Sequence, residues 1–291
     1  MNTVTARKIG NLTSLRSFVA ASAMKFIRAK ALIRHSLITS FALTTMVCAN
    51  PLLADDHDED EENPFDDASI YFELNDTDGD LGIHALLDSD PLKGLRIQDP
   101  FERSLLEVRM NGRLRQQGLT KFNFESAESD FEKMPPKELF SRFPDGEYKV
   151  AGLTLADEEI ETELYLSHVM PEPVPGLTVN GTAMVQDCDE DEVPTVTPPL
   201  VISWSAVTQS HSELGKTGAI EVDKYQVVAE VEEPQLNVYS VDVPFYVTSM
   251  KIPIEFTDLA YGEPLEYEVL VRAHNGNQTT IESCIIVKTS E

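Results

Sequence analysis

From residue 69 to residue 287 apolar and polar residues alternate over short runs, the period of half-buried β-strands. In the first half the runs are Ser69–Leu74, Leu81–Leu87, Gly94–Gln98, Ser104–Met110, Leu119–Phe124, Glu147–Leu155 and Ile160–Val169. Turn-forming residues separate them, among them Asp78-Gly79, Asn111-Gly112 and Pro144-Asp145-Gly146. Seven such runs predict an antiparallel sandwich. One segment departs from the period. In Pro136–Phe143 the residues Leu139, Phe140 and Phe143 fall at helical spacing between two prolines, which predicts a short helix across one end of that sandwich.

A second strand rhythm fills residues 195–289. Leu200, Ile202 and Trp204 share one face, as do Tyr225, Val227, Ala229 and Val231. Val238–Val243 and Met250–Phe256 follow. Then Leu265, Tyr267, Val269, Val271 and Ala273 point inward, and Cys284–Val287 closes the run. Between the halves, residues 171–194 hold Pro171, Pro173 and Pro175 and the acidic string at 187–192, which predicts an extended, solvated linker. Residues 176–186 could also pair as an edge strand. The fold class is therefore all-β, two β-sandwich domains, an Ig-like one with one short helix at 68–170 and a second at 195–289.

The N-terminal sequence changes the picture of where this unit works. Residues 1–54 carry seven Lys or Arg and no Asp or Glu. Lys25, Arg28, Lys30 and Arg34 lead into the apolar run Leu37–Cys48, with small residues at Ala49 and Ala54. That is the order of a secretory signal peptide, with Met24 the more natural start and cleavage after Ala49 or Ala54. An uncleaved anchor and a stretch with no export role are the alternatives. The run is too short for a membrane span, so no transmembrane span is expected in the mature chain. The expected location is periplasmic, secreted or cell-surface. Residues 55–67 (DDHDEDEENPFDD) read as a disordered acidic leader.

The whole chain has a formal charge of −27. Removing residues 1–54 leaves 16 basic against 50 acidic residues, a charge of −34. Such a field repels nucleic acid, so the expected partner is a protein or glycan in the cell envelope or outside the cell. Outside the signal segment the cysteines are Cys188 and Cys284, with no zinc spacing. In an exported chain a disulfide between them is the default expectation, with two free thiols the alternative.

Trp204 on the second strand, Tyr225 on the third, Leu259 before the sixth, and the run Tyr267-x-Val269-x-Val271-x-Ala273-x-Asn275 resemble a fibronectin type III domain. The resemblance makes these four residues, Trp204, Tyr225, Leu259 and Tyr267, a structural core. It gives Tyr267 the role of tyrosine corner, its hydroxyl bonded to backbone near Leu259–Gly262. The wider strings QGLTKFNFES…ELFSRFPDGEYKVAG and KYQVVAEVEEPQLNVYSVDVP…EYEVLVRAHNGNQTT resemble uncharacterised exported bacterial proteins that pair an N-terminal β domain with a fibronectin-like one. That likeness implies no activity.

Candidate chemistry is sparse. Asp76, Asp78 and Asp80 alternate as hard oxygen ligands for Ca²⁺ would, but Leu74 and Ala85 stand where an EF-hand loop needs acids, and a hairpin turn is the plainer reading. No cofactor beyond that Ca²⁺ is implied. GxSxG, HExxH and P-loop motifs are absent from the sequence. Arg109, Arg113 and Arg115 form a basic cluster that could hold an acidic partner or the acidic leader, or simply a solvated hairpin face. Tyr239, Phe245 and Tyr246 are the exposed aromatic candidates of the last domain, with strand-end or edge packing the plainer reading. The functional expectation is a non-catalytic binding or adhesion-type module. An accessory or catalytic role in an envelope enzyme system, and a Ca²⁺-stabilised structural module, are the alternatives.

Overall fold

The computed structural model describes residues 65–185, 188, 192–232 and 235–288, all within one compact unit, 61–291. The signal peptide and residues 55–64 of the acidic leader lie outside the described residues; residues 65–67, expected as its disordered end, instead open β1, because Phe65 is buried in the first core. The first half contains β1 (Phe65–Asn75), β2 (Asp80–Gln98), β3 (Ser104–Arg109), α1 (Gly112–Gln117), β4 (Leu119–Glu125), β5 (Ser129–Asp130), α2 (Pro136–Arg142), β6 (Gly146–Thr154) and β7 (Glu159–Leu166). Two of the expected runs, Leu81–Leu87 and Gly94–Gln98, are one strand. Pro91 does not break β2 because the pairing register shifts on both sides of Leu92, where no ladder bond is required of it. The early part of β2 lies between β1 and β4, the later part between β3 and β6. Both parts feed the same core, where Leu81, Ile83, Leu95 and Ile97 meet Phe72, Tyr148 and Leu166.

The half expected to hold one short helix holds two. The helix over Pro136–Arg142 buries Leu139 and Phe140. The other, α1, buries no residue, so no apolar period marks it in the sequence.

The second half adds β8 (Thr178–Val179), β9 (Thr182–Ala183), β10 (Thr195–Val196), β11 (Val201–Ser203), β12 (Val222–Val231), β13 (Asn237–Pro244), β14 (Ser249–Lys251), α3 (Ile254–Thr257), β15 (Pro264–Ala273) and β16 (Gln278–Val287). The order β13-β12-β15-β16 faces the small sheet β14-β11-β8-β9 across a core of Val179, Ile202, Trp204, Tyr225, Val269 and Ile285. This is a fibronectin type III-like β-sandwich. Its edge comes from within the segment expected as a linker: β8 pairs with β11 through Val179 and Ile202. The prolines at 171, 173 and 175 extend the chain up to that strand but leave 176–183 free to pair. The run expected over Met250–Phe256 stops at Lys251, because Pro253 opens α3.

Leu259 corrects the expected core. It lies in a 3-10 turn, Asp258–Ala260, and is 48% exposed. Only one side of so short a turn can face inward, and Ala260 occupies it, next to the buried Phe256 and Thr257 of α3. Trp204, Tyr225 and Tyr267 are buried, with Trp204 and Tyr225 edge to face at 5.5 Å. Among the described residues the Tyr267 hydroxyl makes no hydrogen bond to the Leu259–Gly262 backbone. Ser283 lies opposite it in the β15–β16 pairing and partly offsets the rise in the phenol pKa that burial causes. The corner geometry occurs in the first half, where the Tyr148 hydroxyl donates to the Pro144 carbonyl at 3.0 Å.

The two halves share one sheet. β16 pairs in parallel with β1, Glu73 to Gln278, Leu74 to Thr279 and Asn75 to Thr280. The path β13-β12-β15-β16-β1-β2-β6-β7 therefore runs without a break through both. Asn277, fully buried, locks the junction. Its Oδ1 accepts from the Phe72 amide at 2.9 Å, and its Nδ2 donates to the Ser167 and Val169 carbonyls at 2.8 and 2.9 Å. Both N–H donors of the amide and one of its two acceptor positions are thus used, so the buried side chain is well satisfied. The Thr279 hydroxyl donates to the Pro171 carbonyl at 2.8 Å beside it. A disulfide joins Cys188 to Cys284 with Cα atoms 5.9 Å apart, tying the acidic string to the last strand.

Candidate functional site

Local sequence builds an aromatic tip at the end of β13. Pro244 ends the strand, and the Val247 amide donates to its carbonyl at 2.8 Å, closing a tight turn around Phe245 and Tyr246. The Trp204 amide then donates to the Thr248 carbonyl at 3.0 Å, fixing the far side of the turn to the core. Phe245 is 57% and Tyr246 72% exposed, with their rings edge to face at 5.4 Å. Lys224, opposite Pro244 in the pairing, bonds Asp242 at 2.6 Å and gives the tip a charged flank. Of the three aromatics expected at the surface, Tyr239 is different: it packs on the core, 5.9 Å from Phe256. An aromatic pair on an anchored turn offers contact area at small cost in conformational entropy.

The sheet face turned away from the cores carries a polar cluster where the halves join. His84 stacks on Tyr71 at 5.3 Å, and Arg272 sits 5.6 Å over the same Tyr71 ring. The His84 Nε2 lies 3.0 Å from Glu128 and its Nδ1 3.9 Å from Glu73. Burial disfavours a charge on His84, but Glu128 and Glu73 outweigh it and raise its pKa. Burial also raises the Glu73 carboxyl, with Glu128 and Glu125 adding to it against the pull of His84. Burial and then Glu128, Asp78, Glu73 and Asp130 push Asp80 up to about 7. Across the junction, burial and then Glu282 and Glu230 push Glu268 up to about 8. The carboxyls of the cluster therefore resist full ionisation at neutral pH.

The three aspartates suggested for Ca²⁺ do not converge. Asp76 takes the His211 Nε2 at 3.1 Å, Asp78 accepts from the Asn75 side chain at 3.3 Å, and the buried Asp80 Oδ1 has no hydrogen-bond partner. The Asn75 Oδ1 accepts from the Thr77 and Asp78 amides, the geometry of a turn. Among the described residues no group of three or more His, Cys, Asp or Glu is arranged to hold a metal ion. His168 plugs the first core, its Nε2 2.8 Å from the Phe143 carbonyl and its ring 4.7 Å from Phe140. Arg109 is paired with Glu107. Arg113 and Arg115 project from α1.

Sequence reasoning missed Glu73, Glu128 and Asn277. Asn275-Gly276-Asn277 reads as hairpin turn chemistry, and the partners of Asn277 lie 108 to 205 residues away.

No family model matches the chain, and no curated protein sequence matches it. Among solved structures it is similar to a tetra-tandem repeat from the extending region of a large adhesion protein (12% identity, 77% of this chain, 50% of that one, TM-score 0.26). It is also similar to a structure concerning host cell surface retention of a 1.5-MDa bacterial ice-binding adhesin (11%, 77%, 65%, 0.24). A two-domain fibronectin type III segment from chicken tenascin is a third (16%, 77%, 99%, 0.23). The chain spans half to about two thirds of the length of the first two. No ligand, partner or role follows from these likenesses. Among the described residues no helix is long and apolar enough to cross a membrane.

Proposed function

We propose that the chain is an exported, non-catalytic binding or adhesion-type module that meets a protein or glycan partner of the cell envelope or exterior through its sandwich surfaces. The Phe245–Tyr246 tip carries this reading. Two large aromatics stand exposed side by side on a turn anchored at both ends, flanked by the Lys224–Asp242 ion pair. Aromatic anchors with a polar rim are the usual centre of a binding surface. The basic, apolar and small-residue order of residues 1–54 supports export.

The test is capture from an envelope extract, run beside a glycan array, with wild-type protein and the double variant Phe245→Ala/Tyr246→Ala. The wild type should retain a saturable partner, and the variant should lose at least about 2 kcal/mol, some thirtyfold in affinity, with an unchanged melting temperature. Equal retention by both proteins would refute this assignment of the surface.

A further inference from the structure

We propose that α1 is a docking surface for an acidic polypeptide segment, separate from the aromatic tip. A six-residue helix is far below the length that is stable alone, and this one buries no side chain. It lies against β2, held in place by the backbone on either side of it. β3 before it and β4 after it both pair with β2. Gly118 closes it, donating to the Leu114 carbonyl at 2.7 Å from a backbone at φ +75°, and packs so closely on Pro91 that a Cβ would lie 2.6 Å from that ring. The fold therefore presents Arg113, Leu114 and Arg115 without using any of them.

Their chemistry fits one kind of partner. Arg96, Arg103, Arg109 and Arg142 are each paired with a carboxylate, but Arg113 and Arg115 make no ion pair among the described residues. Asp157 is held by Lys93, which lowers its pKa, and the Arg115 charge only adds to that lowering. From Val108 to Gly118 the sequence has no Asp or Glu, in a chain of charge −27. Two free guanidinium forks on an acid-free stretch match carboxylates in bidentate geometry. Leu114, 53% exposed between them, adds an apolar contact that a polypeptide side chain can meet and a sugar acid meets poorly. The occupant is an acidic segment of a protein chain.

A labelled peptide with the sequence of residues 55–63 (DDHDEDEEN) is the probe, with its Asn/Gln analogue as control. It is titrated into the full chain, and into a full chain whose own leader carboxylates are changed to amides so that the leader cannot compete. The amide-leader chain should bind the acidic peptide and not the control. Arg113→Gln and Arg115→Gln should each weaken binding about five- to tenfold, Leu114→Ser about threefold, and 0.5 M salt about tenfold or more. Because α1 buries nothing, these variants should melt with the wild type. Three results would overturn the proposal: no binding by either chain, binding indifferent to the arginine variants, or capture of a polyuronate oligomer in preference to the peptide.

Discussion

Asp80→Asn should make the protein more stable, and only above mildly acidic pH. The Asp80 carboxyl rises from 3.8 to about 7 because it is partly buried among Glu128, Asp78, Glu73 and Asp130, and its Oδ1 has no hydrogen bond to offset that. For a carboxyl raised on folding, the native state binds more protons than the unfolded chain between the two pKa values. Stability therefore falls as pH rises from about 4 to about 7 and stays low above. Three units at about 1.4 kcal/mol each set a ceiling near 4 kcal/mol, and the partial exposure of the side chain cuts this to about 1–2 kcal/mol. Urea unfolding of wild type and variant at pH 4 and pH 8 isolates the charge, since the unsatisfied amide or carboxyl is present at both. The variant should gain about 1–2 kcal/mol at pH 8 and within about 0.5 kcal/mol of nothing at pH 4. An equal effect at both pH values, or a loss at pH 8, would refute the reasoning.

Other consequences are equally direct. Asn277→Ala leaves the buried Phe72 amide and Ser167 carbonyl without partners, so urea unfolding should show a loss of about 3–5 kcal/mol. Cys284→Ser opens a disulfide spanning 96 residues and should cost about 2–4 kcal/mol, with the same drop in wild type under reductant. Tyr148→Phe removes the bond to the Pro144 carbonyl and should cost about 1 kcal/mol by thermal denaturation with no shift in strand content by circular dichroism.

The strand runs were readable because each sandwich core selects every second residue. Val227, Val269 and Tyr267 declare themselves by period alone. The same logic fails where burial does not drive structure: α1 has no apolar face, and Leu259 looks like core until the 3-10 turn rotates it outward. The tyrosine corner was assigned to Tyr267 because a Val-x-Val run follows it. Tyr148-x-Val150 follows Pro144-Asp145-Gly146 in the same way, and there the turn brings the carbonyl within reach. The exposed tip was partly legible, since Phe245 and Tyr246 break the alternation after Pro244. The polar cluster was not. Glu73 and His84 come from β1 and β2 and Glu128 from the loop between β4 and β5, brought together by strand pairing, and a chain with 50 acidic residues hides any particular pair. Least legible was the join itself, because a three-residue parallel pairing between the first and last strands leaves no mark in either.

That join makes the two sandwiches one body, and a binding surface on one half is held rigidly by the other. Differential scanning calorimetry of the full chain at pH 5 tests this most directly. Roughly 220 residues at about 0.7 kcal/mol each should melt in one transition of roughly 155 kcal/mol, with calorimetric and van't Hoff enthalpies equal. Two separable transitions of about half that enthalpy each would contradict the shared sheet as the element that unites the halves.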